Sequence, residues 1–82
     1  MLPNRAHEVK VRANFDGEVE VLVRAEQRVY ATQRLVVVEG DHEIETLSSR
    51  NAGRVVSVHA RTGETVAKGA LLLTLVEDPP AS

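Results

Sequence analysis

Imidazole titrates near neutrality, can hold a metal ion and can relay a proton. His42, set between Asp41 and Glu43, is therefore the first residue to weigh. The trio fits a weak metal site or a solvated polar turn. The turn is favoured, because neighbours in an extended segment point to opposite sides and a metal needs converging ligands. His7 and His59 stand far off in sequence, without metal-type spacing, and read as strand residues facing water. Glu18, Glu20, Glu43 and Glu45 alternate with Val and Ile, the pattern of a sheet's solvent face rather than of paired catalytic carboxylates. Ser48-Ser49 lacks the Gly-x-Ser-x-Gly elbow that exposes a serine nucleophile. Gly63 and Gly69 read as turn residues and not as a phosphate cradle, since no helix comes after them. The chain has no cysteine, so thiol and zinc-thiolate chemistry are excluded. No catalytic residue, no metal ligand and no enzymatic activity are expected.

The elements that must position His42 read as strands throughout. Leu35-Val36-Val37-Val38-Glu39, the turn Gly40-Asp41-His42 and the run Glu43 to Ser49, closing on Asn51-Ala52-Gly53, form a β-hairpin with its tip at Gly40 to Glu43. Upstream, His7 to Arg12 alternates with Val9 and Val11 on one face. Glu18 to Val23 alternates again after a turn at Asn14-Phe15-Asp16-Gly17, and Val29-Tyr30 is a very short strand. Downstream, Arg54 to Ala60, Thr65-Val66 and Leu71 to Val76 are strands separated by turns at Gly63 and Gly69. No segment keeps a helical period, so the chain is expected to be all-β.

An internal repeat runs through this pattern. Gly17, Val19, Val29 and Leu35 correspond to Gly53, Val55, Val66 and Leu72, with an offset of 36 residues at the start and 37 at the end. Each half is a long strand, a short strand and another long strand, and neither could bury its valine face alone. Two halves together imply a flattened two-fold barrel of two small sheets.

Composition narrows the function classes. Eighty-two residues make one small domain. Ten basic residues scattered among twelve acidic ones, for a net charge of −2, argue against a nucleic-acid partner, which wants clustered cations. No apolar run approaches the ~20 residues of a membrane span, and no signal peptide is visible after Met1. A cytoplasmic domain is expected, either a complete small protein or a leading domain. Its parts are a leader over 1–7, the folded unit over 8–77 and a flexible tail or linker start over 78–82, where Pro79-Pro80 stops a ladder.

Three pieces of the chain resemble the lipoyl/biotinyl carrier-domain family. Phe15-Asp16-Gly17-Glu18-Val19 is similar to the family's first Gly-x-Val turn and strand. Leu35 to Gly53 resembles its attachment hairpin, whose tip in lipoyl domains usually reads Glu-(small)-Asp-Lys-Ala, with an Ala-Gly pair further on. Glu39, Asp41, Ala52 and Gly53 fall at the matching places without a gap. Val58 to Gly69 resembles the family's Gly-Asp-x-Val-x-x-Gly segment, with Glu64 in place of Asp. The likeness covers roughly Glu8 to Glu77 and implies a barrel-sandwich hybrid of two quasi-symmetric halves.

The resemblance also carries a departure. In the family the tip lysine forms an amide with lipoate or biotin, and His42 stands in its place; imidazole cannot form that stable amide. Lys10 and Lys68 are the only lysines, and both are expected away from the tip. The resemblance thus implies a carrier fold with no expected cofactor, loaded with lipoate or biotin only if a lysine were restored at position 42. It would act as a structural or interaction module presenting Glu39 to Ile44 to a protein partner, such as an enzyme that recognises carrier domains. Two alternatives stay open. One is an acyl or carboxyl carrier of a multienzyme complex, with His42 replacing a natural lysine or the chain being an unmodified part. The other is a small metal- or ligand-binding domain using Asp41, His42 and Glu43.

Overall fold

Valines and leucines two residues apart must put one strand face in a core and leave the other to water. Eight strands make up this protein in the computed structural model, which describes residues 7–79. They are β1 His7–Arg12, β2 Gly17–Val21, β3 Arg28–Val29, β4 Arg34–Glu39, β5 Ile44–Ser48, β6 Gly53–Val58, β7 Thr65–Val66 and β8 Leu71–Glu77. No helix occurs among the described residues. Two four-stranded antiparallel sheets face each other, with orders β1-β8-β6-β3 and β5-β4-β2-β7. Exchanging β2, β3, β4 and β5 for β6, β7, β8 and β1 turns one order into the other. Each half thus lends its short strand, β3 or β7, to the other half's sheet. This is the all-β, two-fold arrangement that the patterning implies and the barrel-sandwich hybrid that the resemblance implies.

The core between the sheets is aliphatic: Val19, Val29, Leu35, Val36, Val38, Val55, Leu72, Leu73 and Leu75 are buried. Strict alternation would expose Leu35 or Val36, yet both are fully buried. The ladder explains this, because Arg34 pairs with Ser48 and Val36 with Leu47, leaving Leu35 as an extra, unpaired residue. A bulge of this kind re-aims a side chain. Leu72 repeats the arrangement in the other sheet, between Leu71 opposite Arg12 and Leu73 opposite Val11, and is also fully buried.

Several element ends differ from the sequence pattern. β2 stops at Val21; Leu22 and Val23 lie beyond it, with Val23 still buried. The short strand is Arg28–Val29, and Tyr30 is exposed. His7, assigned to the leader, pairs with Glu77 inside the first sheet. Asp78, assigned to the tail, is tethered: its N–H donates to Ala52 C=O at 2.9 Å, and its carboxylate accepts from Arg28 at 2.7 Å. That hydrogen bond, reinforced by the guanidinium charge against slight desolvation, holds the Asp78 carboxyl below its ordinary pKa. The rest of the expected leader and tail, residues 1–6 and 80–82, lies outside the described residues.

The two halves close their tight turns with different chemistry. Gly63 and Gly69 have φ of +93° and +88°, and Glu26 and Thr32 take φ of 74° and 73° at the corresponding turns of the first half. A left-handed backbone is strained for a β-branched residue and free for glycine. We expect Thr32→Gly to raise stability by about 1 kcal/mol and Gly69→Thr to lower it by about 1–3 kcal/mol, read as opposite shifts of the urea midpoint. Equal, same-signed shifts would remove backbone strain as the explanation.

Candidate functional site

The core parity of β4 sets the hairpin that carries the candidate residues. Val36 and Val38 point inward, and β5 pairs Val36 with Leu47, Val38 with Glu45 and Glu39 with Ile44. Opposed residues share a face, so Leu47 and Glu45 turn toward the core side while Ile44 turns out and is 66% exposed. The sequence reading of Glu45 as a solvent-face carboxylate is therefore corrected. It is half-buried at the end of the core, and its Oε1 accepts a hydrogen bond from Asn14 Nδ2 at 2.8 Å. Glu18 and Glu20 do lie on an exposed face.

The tip itself is a short connection. Gly40 N–H donates to Glu43 C=O at 2.8 Å, and Asp41, His42 and Glu43 are all exposed. None of the three has a positive φ, so position 42 asks for no special residue and would accept any L side chain. Gly40 is different. A Cβ there would meet Asp16 C=O at 2.9 Å and the Phe15 ring at 3.0 Å, so the tip lies directly on the β1–β2 loop.

That loop ties three pieces together at this end of the barrel. Phe15 packs against the core and supports Gly40. Asn14 holds Glu45. Asp16 Oδ1 accepts from Lys68 N–H at 2.7 Å, while Gly69 N–H donates to Ala13 C=O at 2.8 Å and Ala13 N–H to Ala70 C=O at 3.0 Å. The β7–β8 turn is thereby fixed beside the hairpin. Phe15, Asp16, Asp41, His42, Glu43 and Lys68 line one shallow, open depression. The expectation that Lys68 sits away from the tip is thus overturned. The turn of the second half folds back onto the first half's hairpin because each half completes the other's sheet. Lys10 lies on β1 opposite Thr74, in the other sheet.

The linear pattern does not reveal Phe15, Asp16, Asn14 and Lys68 as neighbours of the tip. The usable signal is Phe15, the single phenylalanine in a chain whose core is otherwise Val, Leu and Ala. The tip carboxylates and His42 do not converge: among the described residues no three His, Asp or Glu side chains are placed to hold a metal ion. His59 is engaged elsewhere, with Nε2 3.0 Å from Ser57 Oγ and 3.4 Å from Thr74 Oγ1. No helix among the described residues is long and apolar enough to cross a membrane.

This architecture is matched by known proteins. The chain is similar to part of a single-chain, multi-domain long-chain acyl-CoA carboxylase, at 27% identity and a TM-score of 0.79 over 99% of this chain and 8% of that one. It shares its fold with part of the urea carboxylase of Kluyveromyces lactis, at 16% identity and a TM-score of 0.72 over 93% of this chain and 7% of that one. It also shares its fold with part of a protein of Shewanella amazonensis SB2B assigned to the succinylglutamate desuccinylase/aspartoacylase family. There the values are 23% identity and a TM-score of 0.69, over 84% of this chain and 20% of that one. The chain thus spans a small fraction of the proteins it resembles. No curated protein sequence matches it significantly. The family model described as "Biotin-requiring enzyme" matches residues 8–75, and with the hairpin, the two interlocked halves and this match together, the chain belongs to the biotin/lipoyl carrier-domain family.

Proposed function

We propose that this domain is a carrier fold without the carrier's attachment chemistry, presenting its β4–β5 tip to a protein partner that handles carrier domains. The observation that carries this reading is His42 at the exposed tip on an ordinary backbone. The turn does not require histidine, and imidazole offers no primary amine for the amide that holds biotin or lipoate. The residues at the tip therefore do not fit a covalently attached cofactor, and no transfer step is assigned to the domain. The Lys68 amine lies beside the tip, but on the β7–β8 turn, not at the end of the hairpin. Braced by Phe15, Asn14 and Asp16, the tip is a rigid feature, and a rigid exposed feature is recognised at low entropic cost.

A second reading rests on the likeness to an acyl-CoA carboxylase at 27% identity. If the natural protein has lysine at position 42, the same tip would carry a carboxyl or acyl group between active sites.

Intact mass after incubation with biotin and lipoate ligases tests the proposal. We expect the native chain to stay unmodified and His42→Lys to gain one cofactor, with Lys68→Arg in the same background changing nothing. Modification of the native chain, abolished by Lys68→Arg, would overturn the proposal. We also expect Gly40→Ala to push the tip off Phe15, lowering stability by about 1–3 kcal/mol. In the His42→Lys background it should slow cofactor loading, read as the rate of mass gain.

A further inference from the structure

An edge strand presents unpaired N–H and C=O groups, and proteins usually guard such edges with lysine, proline, bulges or extreme shortness. This barrel has four edges: β1 and β3 in one sheet, β5 and β7 in the other. β3 and β7 are two residues long. β1 carries exposed Lys10 and Arg12 and an irregularity between Val11 and Arg12. β5, with sequence Ile-Glu-Thr-Leu-Ser, has neither lysine nor proline and is five residues long, although its ladder with β4 also shifts register, between Arg34 and Val36. Its one charge, Glu45, points inward, which is itself a guard against pairing, and is held there by a hydrogen bond from Asn14. Among the described residues nothing pairs with its outer edge.

The direction of the free groups is set by the ends of the strand. Glu43 C=O accepts from Gly40 N–H at 2.8 Å, and Ser49 N–H donates to Gln33 C=O at 2.8 Å. Residues of that parity spend their main-chain groups on the β4 side. In a regular strand the other parity then faces outward, so Ile44, Thr46 and Ser48 offer their N–H and C=O groups to the open edge.

We infer that β5 is a self-pairing edge whose occupant is the β5 strand of a second copy, antiparallel about a two-fold axis through Thr46. That register opposes Thr46 to Thr46 and Ile44 to Ser48, and it alone engages all five residues of the strand. Each opposed pair of outward residues can exchange both N–H···O bonds. Charge supports the same register. Asp41 and Glu43 of each copy fall on either side of Arg50 of the other, and none of these groups is in an ion pair among the described residues. Pairing β5 with β1 of another copy would be heterologous and open-ended, whereas β5 with β5 closes as a dimer. A single added strand pair sits at the small end of interfaces, below about 1,200 Å², so the association is weak and concentration-dependent. The inference rests on the β5 backbone and not on the carrier reading.

Sedimentation equilibrium and amide hydrogen exchange test it on the full 82-residue chain. We expect the mass to rise toward a dimer as concentration approaches about 1 mM, with the amides of Ile44, Thr46 and Ser48 gaining protection in step. Thr46→Pro removes an N–H that the domain's own ladder does not use, and Thr46→Lys puts like charges face to face on the axis. Each should weaken association at least about tenfold. Glu43→Arg and Arg50→Glu should each weaken it, and the double variant should recover part of the loss. A chain monomeric at every concentration, a dimer unaffected by Thr46→Pro and Thr46→Lys alike, or protection gained on β1 instead of β5 would each overturn the inference.

Discussion

The inward fixing of Val36 and Val38 on β4 is the constraint on which the rest of the hairpin depends. Both are fully buried, and a one-residue slip of β4 would send them to water and bring Val37 and Glu39 into the core. With β4 fixed, the β5 register is fixed too: Leu47 must oppose Val36 and Glu45 must oppose Val38. That leaves a carboxylate at the end of an aliphatic core, where its desolvation is offset by a hydrogen bond from Asn14. The β1–β2 loop must then stay close to the hairpin, and the tip inherits its position from that closeness. Placement of His42 is thus decided by aliphatic side chains several residues away, on the strands and not in the turn.

The two-fold exchange of short strands explains why the tip is braced although it is exposed. Because β7 completes the sheet of β2, β4 and β5, the turn after it arrives beside the first half's hairpin. Asp16 then needs only one hydrogen bond, from Lys68 N–H, to lock loop, turn and hairpin into one end of the barrel. A hairpin projecting alone would be marginally stable in water. Here the packing of Phe15 beneath Gly40 provides the third side. The same exchange leaves two long edges uncovered, β1 and β5, since the short strands β3 and β7 cover only β6 and β2.

How far the sequence reveals this depends on the range of the interaction. Alternation in β1 and β2, the aliphatic runs of β4 and β8 and the turn glycines give the fold class and the hairpin directly, because all are local signals. Leu35 and Leu72, each preceded or followed by another buried residue, break alternation through bulges that only the partner strand defines. The linear pattern puts Ile44 and Glu45 on the wrong faces because the parity of β5 is dictated by β4 across the turn, not by β5's own residues. It puts Lys68 away from the tip because the neighbours of that turn are set by strand exchange, which a linear pattern does not express. His42 at the hairpin tip, by contrast, is fully legible, since it is a matter of residue type at a position that the turn signals mark.

Fold and attachment chemistry therefore place separate demands on this chain. The fold needs aliphatic residues of fixed parity, three ladder irregularities and a few backbone-specific turns, and none of these involves position 42. Attachment needs one primary amine at that position and nothing else that the barrel lacks. His42 takes an ordinary backbone conformation and is exposed, so exchanging lysine for histidine there removes no core contact and relieves no strain. In the proposed reading, histidine at this position removes the covalent arm and leaves the neighbours of the tip in place. What such a domain retains is shape and charge at the tip: Asp41 and Glu43 on a braced hairpin, with Asp16 and Lys68 beside them.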